Sequence, residues 1–280
     1  MNSSFRNHLY RTIIAGASVL ALNACGSMSQ DASKDGAIDK TSKSMASAMM
    51  KAGDASRKRG DNRSAAAFYQ RAHNSDPNEI DALNGLAESY ASAGVFKQAV
   101  ESFRKALKVD PKNTRALRGL GNVLIARDQP DLAIAEFEKV LAVDPKDHRA
   151  YNGLGVAHDA SAQHAKAQEY YYAGLEIVPG DVNLRSNLGL SLAFSGHYNG
   201  AIDVLRPLAQ RQGATPRDRQ NLALAYGLSG DVEKATKFSR MDMDRQAVQR
   251  NLSYYSALRS MTDPILRVKS VRAGYALRGR

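Results

Sequence analysis

Alanine recurs at Ala65, Ala99, Ala133, Ala167, Ala201 and Ala235, each thirty-four residues after the last. Pro77, Pro111, Pro145 and Pro179 keep the same interval, and so do Leu86, Leu120, Leu154, Leu188 and Leu222. A small residue follows each of these leucines: Ala87, Gly121, Gly155, Gly189 and Ala223. Three residue classes in one register exclude coincidence. A fixed period of this length means a supersecondary unit that cannot bury its apolar face alone and must stack on copies of itself.

The phase sets six units, beginning at Ala46, Ile80, Thr114, His148, Val182 and Pro216. Each spacing has a mechanical cause. Pairs such as Leu83 with Leu86, and Tyr151 with Leu154, fall on one helical face. The small residue after the leucine lets a second helix approach, and a larger side chain at the recurring alanines would overpack by ~1–3 kcal/mol. Gly60, Gly94, Gly196 and Gly230 suit the left-handed turn after a first helix. Asp-Pro pairs at Asp76-Pro77, Asp110-Pro111 and Asp144-Pro145 then stop the second helix. Pro216 is acceptable in a first turn, where its missing N–H has no partner to lose. The period and this leucine, small-residue, alanine and proline pattern resemble the tetratricopeptide repeat. That resemblance implies an all-α fold: a right-handed α-solenoid of about six repeats over residues 46–249, closed by a C-terminal capping helix.

Departures from the pattern cluster at the ends and the turns. Unit one carries Met49 and Ala52 at the aromatic and leucine sites, units three and four put Asp128 and Ala162 at the turn glycine, and units five and six lose the final proline. Terminal units are expected to be atypical because they cap the stack. Beyond them, Arg245 to Arg259 reads as an amphipathic helix with Ala247, Val248, Leu252, Tyr255 and Leu258 on its apolar side. Pro264 ends it, and a basic tail of no assignable period completes the region 250–280.

The N-terminus is of another kind. Arg6 and Arg11 precede an apolar run from Thr12 to Leu22, about half the ~20 residues a spanning helix needs, which reads as the core of a signal peptide over residues 1–24. Leu22-Asn23-Ala24-Cys25 resembles the lipobox of bacterial lipoproteins, which implies cleavage before Cys25 and diacylglyceryl modification of its thiol. Cys25 is the only cysteine among 280 residues, so no intrachain disulfide can form. Several acyl chains would anchor stably where one holds only marginally, and Gly26 after the cysteine favours the outer membrane by the same resemblance. Residues 25–45, rich in Ser, Asp, Lys and Gly, are expected to be a flexible tether spanning ~25 Å.

The formal charge of +11 comes from 39 basic and 28 acidic residues. Both signs are interleaved and no nucleic-acid recognition motif accompanies them, so the balance predicts affinity for acidic partners rather than for nucleic acid. In the groove that stacked first helices would line, family geometry implies Asp81, Asn84, Glu88, Arg115, Arg118, Asn122, Arg149, Asn152 and Asp159 in the middle. Leu190, Phe194, Leu224 and Leu228 follow towards the C-terminal end. One reading is a peptide groove in which asparagines bond an extended backbone, arginines take carboxylates and the apolar end holds an anchor. The alternative is that the arginines are solvated and that Phe194 and Leu224 pack under the last helix. Arg118 and Asn122 match only part of a carboxylate clamp, because Gly153, Asn183 and Asn187 stand where its remaining members would.

No metalloprotease motif, phosphate loop, nucleophile elbow or zinc-ligand cysteine set occurs. His158 and His164 have no common metal-pair spacing, and His158 falls where other units carry Tyr90 or Tyr226. No enzyme, cofactor, metal or small-molecule substrate is therefore expected. The signal, tether, repeats and a terminal Asn251-Leu252-x-Tyr254-Tyr255-x-x-Leu258-Arg259 segment together resemble TadD-type lipoproteins of tight-adherence (Flp, type IVb) pilus systems. That resemblance implies an outer-membrane, periplasm-facing role in pilus assembly, pilotin-like towards a secretin. An envelope adaptor that docks hydrolases or proteases onto substrates is the other reading.

Overall fold

The computed structural model describes residues 29–270, with side chains from residue 41 onward. Residues 1–28, which hold the expected signal segment and Cys25, and residues 271–280 lie outside the described residues. The chain divides into two units at Ser42 and Lys43. In the first, residues 29–42 are helical and form the start of α1 (Ser29–Lys58). This differs from the flexible tether expected for residues 25–45. Residues 29–42 contain one glycine, Gly36, and no proline. Extending an existing helix costs far less than nucleating one, and the later turns of α1 are held by Ala46, Met49 and Met50, which pack with Ala72 and Ala82.

The second unit is a run of helix pairs. First helices are the C-terminal part of α1, then α3 (Ile80–Ser92), α5 (Thr114–Ala126), α7 (His148–Ala160), α9 (Val182–Phe194) and α11 (Pro216–Ser229). Second helices are α2 (Asn62–Ser75), α4 (Phe96–Val109), α6 (Pro130–Val143), α8 (His164–Ile177), α10 (Tyr198–Gln210) and α12 (Val232–Ser239). Five first helices thus begin at the residues where the sequence phase starts units two to six. Each is capped from the residue before it: Asn113, Asp147 and Asp181 accept the N–H of Ala116, Ala150 and Leu184. Thr215 and Asp218 form a reciprocal capping box ahead of Pro216. At the other end, Asp76, Asp110 and Asp144 accept the N–H two residues on, from Asn78, Lys112 and Lys146. The recurrent Asp-Pro is therefore a side-chain-bonded turn as well as a helix stop.

An aromatic latch holds successive pairs together. Tyr69, Phe103, Phe137 and Tyr171, with Leu205 in the fifth unit, recur every thirty-four residues and are all buried. Each points from a second helix into a slot that glycine opens. A Cβ on Gly121 or Gly155 would lie 2.7 or 2.3 Å from the ring of Phe137 or Tyr171 in its own unit. One on Gly85, Gly119 or Gly153 would lie 2.5, 2.2 or 2.4 Å from the ring of the unit before. The small residue after the leucine is thus half of the arrangement, and the glycine two residues earlier is the other half.

First helices pack on first helices, α3 on α5, α5 on α7, α7 on α9 and α9 on α11, whereas among the described residues no second helix packs on another. The first helices therefore line the inner, concave side of the right-handed solenoid. At its end α13 (Arg245–Ser260) packs on α11 and α12 with Val248, Tyr255 and Leu258 buried, as the sequence places a capping helix. A short helix over residues 264–270, α14, follows it.

Candidate protein-binding groove

The concave side carries two adjoining pockets of opposite character. The first, of about 540 Å³, is lined by Glu88, Arg115, Arg118, Asn122, His148, Arg149, Asn152, Asp181 and Asn183. Six of the nine polar groove residues expected from the sequence meet here: Glu88, Arg115, Arg118, Asn122, Arg149 and Asn152. Leu190 and Phe194 line the second pocket, of about 330 Å³, with Ile125, Val156 and Asn187.

Asn84 does not reach either one. It is 1% exposed, and its Nδ2 donates to Oδ1 of Asn113 at 3.2 Å. Because Asn113 is the cap of α5, this amide ties two repeats together and presents no group to a ligand. Leu224 and Leu228 are likewise buried in the core.

Two of the three arginines are already paired. Arg115 is bidentate to Glu88 at 2.7 and 2.8 Å and reaches Asp81 at 2.9 Å, and its hydrogen bond to Glu88 raises its pKa. Glu88 also accepts from Arg57 of α1. Arg118 donates to Asp147, whose other oxygen caps α7. Arg115 and Arg118 are thus not free for an incoming carboxylate: pulling Asp147 away with Arg118 would uncap a helix, at a cost of ~0.5–2 kcal/mol. Arg149 is exposed and has no side-chain partner among the described residues. Asn122 and Asn183 are also exposed and unpaired among them, while Asn152 accepts from Asn187 at 2.8 Å. What the floor offers is amide groups and one unneutralised cation. Such a set suits the alternating N–H and C=O of an extended peptide.

Between the pockets and the core runs a polar network that periodicity could not reveal. Asp159 accepts from Tyr171 at 2.9 Å and from Ser191 at 2.7 Å, and lies 2.7 Å from Nδ1 of His164. Burial, then the neighbouring carboxylate, pushes the Tyr171 hydroxyl well above its ordinary pKa. His158 is buried and stacked on Tyr170 with centroids 5.2 Å apart, and its Nδ1 lies 2.7 Å from Gln163. It packs as the sequence position implied. The functional residues that sequence reasoning missed are Asp147 and Asp181. Each stands one residue before a first helix, where the capping preference was the available signal.

A concave face of first helices, floored by amides and bordered by an apolar pocket, is the architecture of a tetratricopeptide-repeat solenoid. Models of the tetratricopeptide repeat match residues 47–79, 91–156 and 148–181. Solved structures with the same fold include PilF of Pseudomonas aeruginosa, at 21% identity and TM-score 0.61, covering 76% of this chain and 99% of that one. PilW, described as a widely conserved type IV pilus biogenesis factor, matches at 22% identity and TM-score 0.63, over 80% of this chain and 97% of its own. MamA of Desulfovibrio magneticus matches at 25% identity and TM-score 0.51, over 58% and 92%. A search of the curated proteins found no match. Among the described residues no helix is long and apolar enough to cross a membrane.

Proposed function

We propose that this chain is an outer-membrane lipoprotein, anchored through Cys25, that captures a protein segment in its concave groove and assists assembly of a tight-adherence (Flp) pilus secretion machine. Its role there is pilotin-like, towards the secretin, and it is not catalytic. The observation that carries the reading is the groove floor, where Arg149, Asn122 and Asn183 are exposed and without side-chain partners among the described residues. The lipobox at Cys25 supplies the anchor, and the likeness in fold to PilF and PilW supports a place in pilus biogenesis. Binding an unassembled subunit more tightly than an assembled one would bias the equilibrium towards delivery by the difference in affinity.

The test compares secretin multimers in membranes from wild-type cells, from a deletion and from a Cys25→Ser strain. Loss or mislocalisation of multimers in the deletion, reproduced by Cys25→Ser, supports the reading. Normal multimers in both strains sink it and turn attention to an envelope adaptor for hydrolases or proteases.

A further inference from the structure

The apolar end of the groove is occupied by the chain itself. Residues 264–270 turn back from α13, and Val268, 5% exposed, shares the 330 Å³ pocket with Ile125, Val156, Leu190 and Phe194 of α5, α7 and α9. On one side of it, the guanidinium of Arg267 donates to the carbonyl of Phe194 at 3.3 Å. That carbonyl ends α9, where unpaired carbonyls and the helix dipole favour a cation. On the other side, Nζ of Lys269 lies 3.7 Å from a carboxylate oxygen of Asp128 in the turn between α5 and α6. Tyr254 of α13 donates to the carbonyl of Ser270 at 3.0 Å.

This is the docking of a ligand more than of a core element. One side chain of the segment is anchored, while Ile265 and Leu266 beside it remain 47% and 57% exposed. The pocket around the anchor is not filled. Of the two cations flanking the valine, Lys269 faces a carboxylate of the third unit, while Arg267 bonds the carbonyl of Phe194 in the fifth and that of Met261 before its own helix.

We propose that residues 264–270 are an internal competitor for the groove. The partner segment that docks at this end therefore carries the same chemistry, an apolar side chain flanked by basic residues, and has to displace them. The inference rests on the protein-binding reading above and adds to it both the chemistry of the bound segment and a means of holding the groove closed until that segment arrives. A resident segment lowers the apparent affinity of any competitor by the fraction of molecules in which the pocket is free.

The experiment uses a fluorescent peptide with the sequence of residues 262–270, added to the full mature chain and followed by anisotropy. Val268→Asp in the protein expels the resident anchor, and because α14 is peripheral the repeats stay folded, which a thermal melt checks. The peptide should bind Val268→Asp roughly tenfold or more tightly than wild type. The gain should disappear when Leu190→Asp is added to the protein, or when the peptide carries the aspartate in place of valine. A peptide with both basic residues replaced by glutamate should also fail. Equal binding to wild type and Val268→Asp, or binding to neither, overturns the proposal, as does tighter binding of the glutamate peptide. A secretin defect on deletion together with no competition by the peptide would overturn this inference while leaving the broader function standing.

Discussion

Ala162 sits at φ 57° and Asp128 at φ 59°, in the turns where the other units place Gly60, Gly94, Gly196 and Gly230 at φ 75–92°. A left-handed alanine costs ~1–2 kcal/mol that glycine does not. Part of that gain is returned, since glycine loses more freedom on folding. Ala162→Gly is therefore expected to stabilise the protein by about 1 kcal/mol, read as a higher Tm. Asp128 tolerates the conformation better, and its carboxylate also faces Lys269. The opposite substitution fails at the latch. Gly119→Ala would gain up to ~1 kcal/mol of helix propensity, but its methyl would fall 2.2 Å from Phe103. The overpacking cost of ~1–3 kcal/mol wins, and thermal denaturation should show a lower Tm. Groove function was poorly legible at this scale. Asn84, Arg115 and Arg118 were read from their repeat positions alone, and their partners Asn113, Glu88 and Asp147 lie 29, 27 and 29 residues away.

At the scale of elements, an ion pair ties the link between α12 and α13 to α11. Arg219 of α11 donates to both oxygens of Asp242, in the link before α13, and this bonding lowers the Asp242 pKa. A depressed carboxylate stabilises the fold above its unfolded value, near 3.9, and loses that contribution as pH falls through the lowered value. Asp242→Asn should therefore lower Tm at pH 7, and the difference from wild type should close as pH falls through the lowered pKa of Asp242. A gap that persisted in acid would mean that the carboxylate acts through packing instead. The capping helix itself was readable from its apolar face. Its link to α11 was not, because no spacing rule joins residues 219 and 242.

Apart from residues 264–270, which reach back to α5, α7 and α9, the repeats are coupled by neighbour-to-neighbour packing. Stability in such an array is close to a sum of unit and interface terms. Phe137 is 1% exposed and lies between Gly121 of its own unit and Gly153 of the next. Phe137→Ala is expected to cost ~3–5 kcal/mol. It should also broaden the denaturant transition, as repeats on the two sides unfold separately. A uniform shift with unchanged steepness would show that the array is more cooperative than nearest-neighbour packing allows.

The sequence by itself determined the period, the starts of five first helices, the turn residues, the capping helix and the division of the concave face into a polar and an apolar part. Those features follow from local rules repeated every thirty-four residues, so each copy corroborates the others. Tertiary structure alone decided which polar groups are spent. Glu88 and Asp147 take up Arg115 and Arg118, Asn84 is buried against Asn113, and Arg149 is left without a partner among the described residues. It also decided that Val268, more than seventy residues beyond Leu190 and Phe194, would lie against them. Contacts of that reach depend on how the repeats curve and where the chain turns back between α13 and α14, and neither is encoded in any window a periodicity can sample.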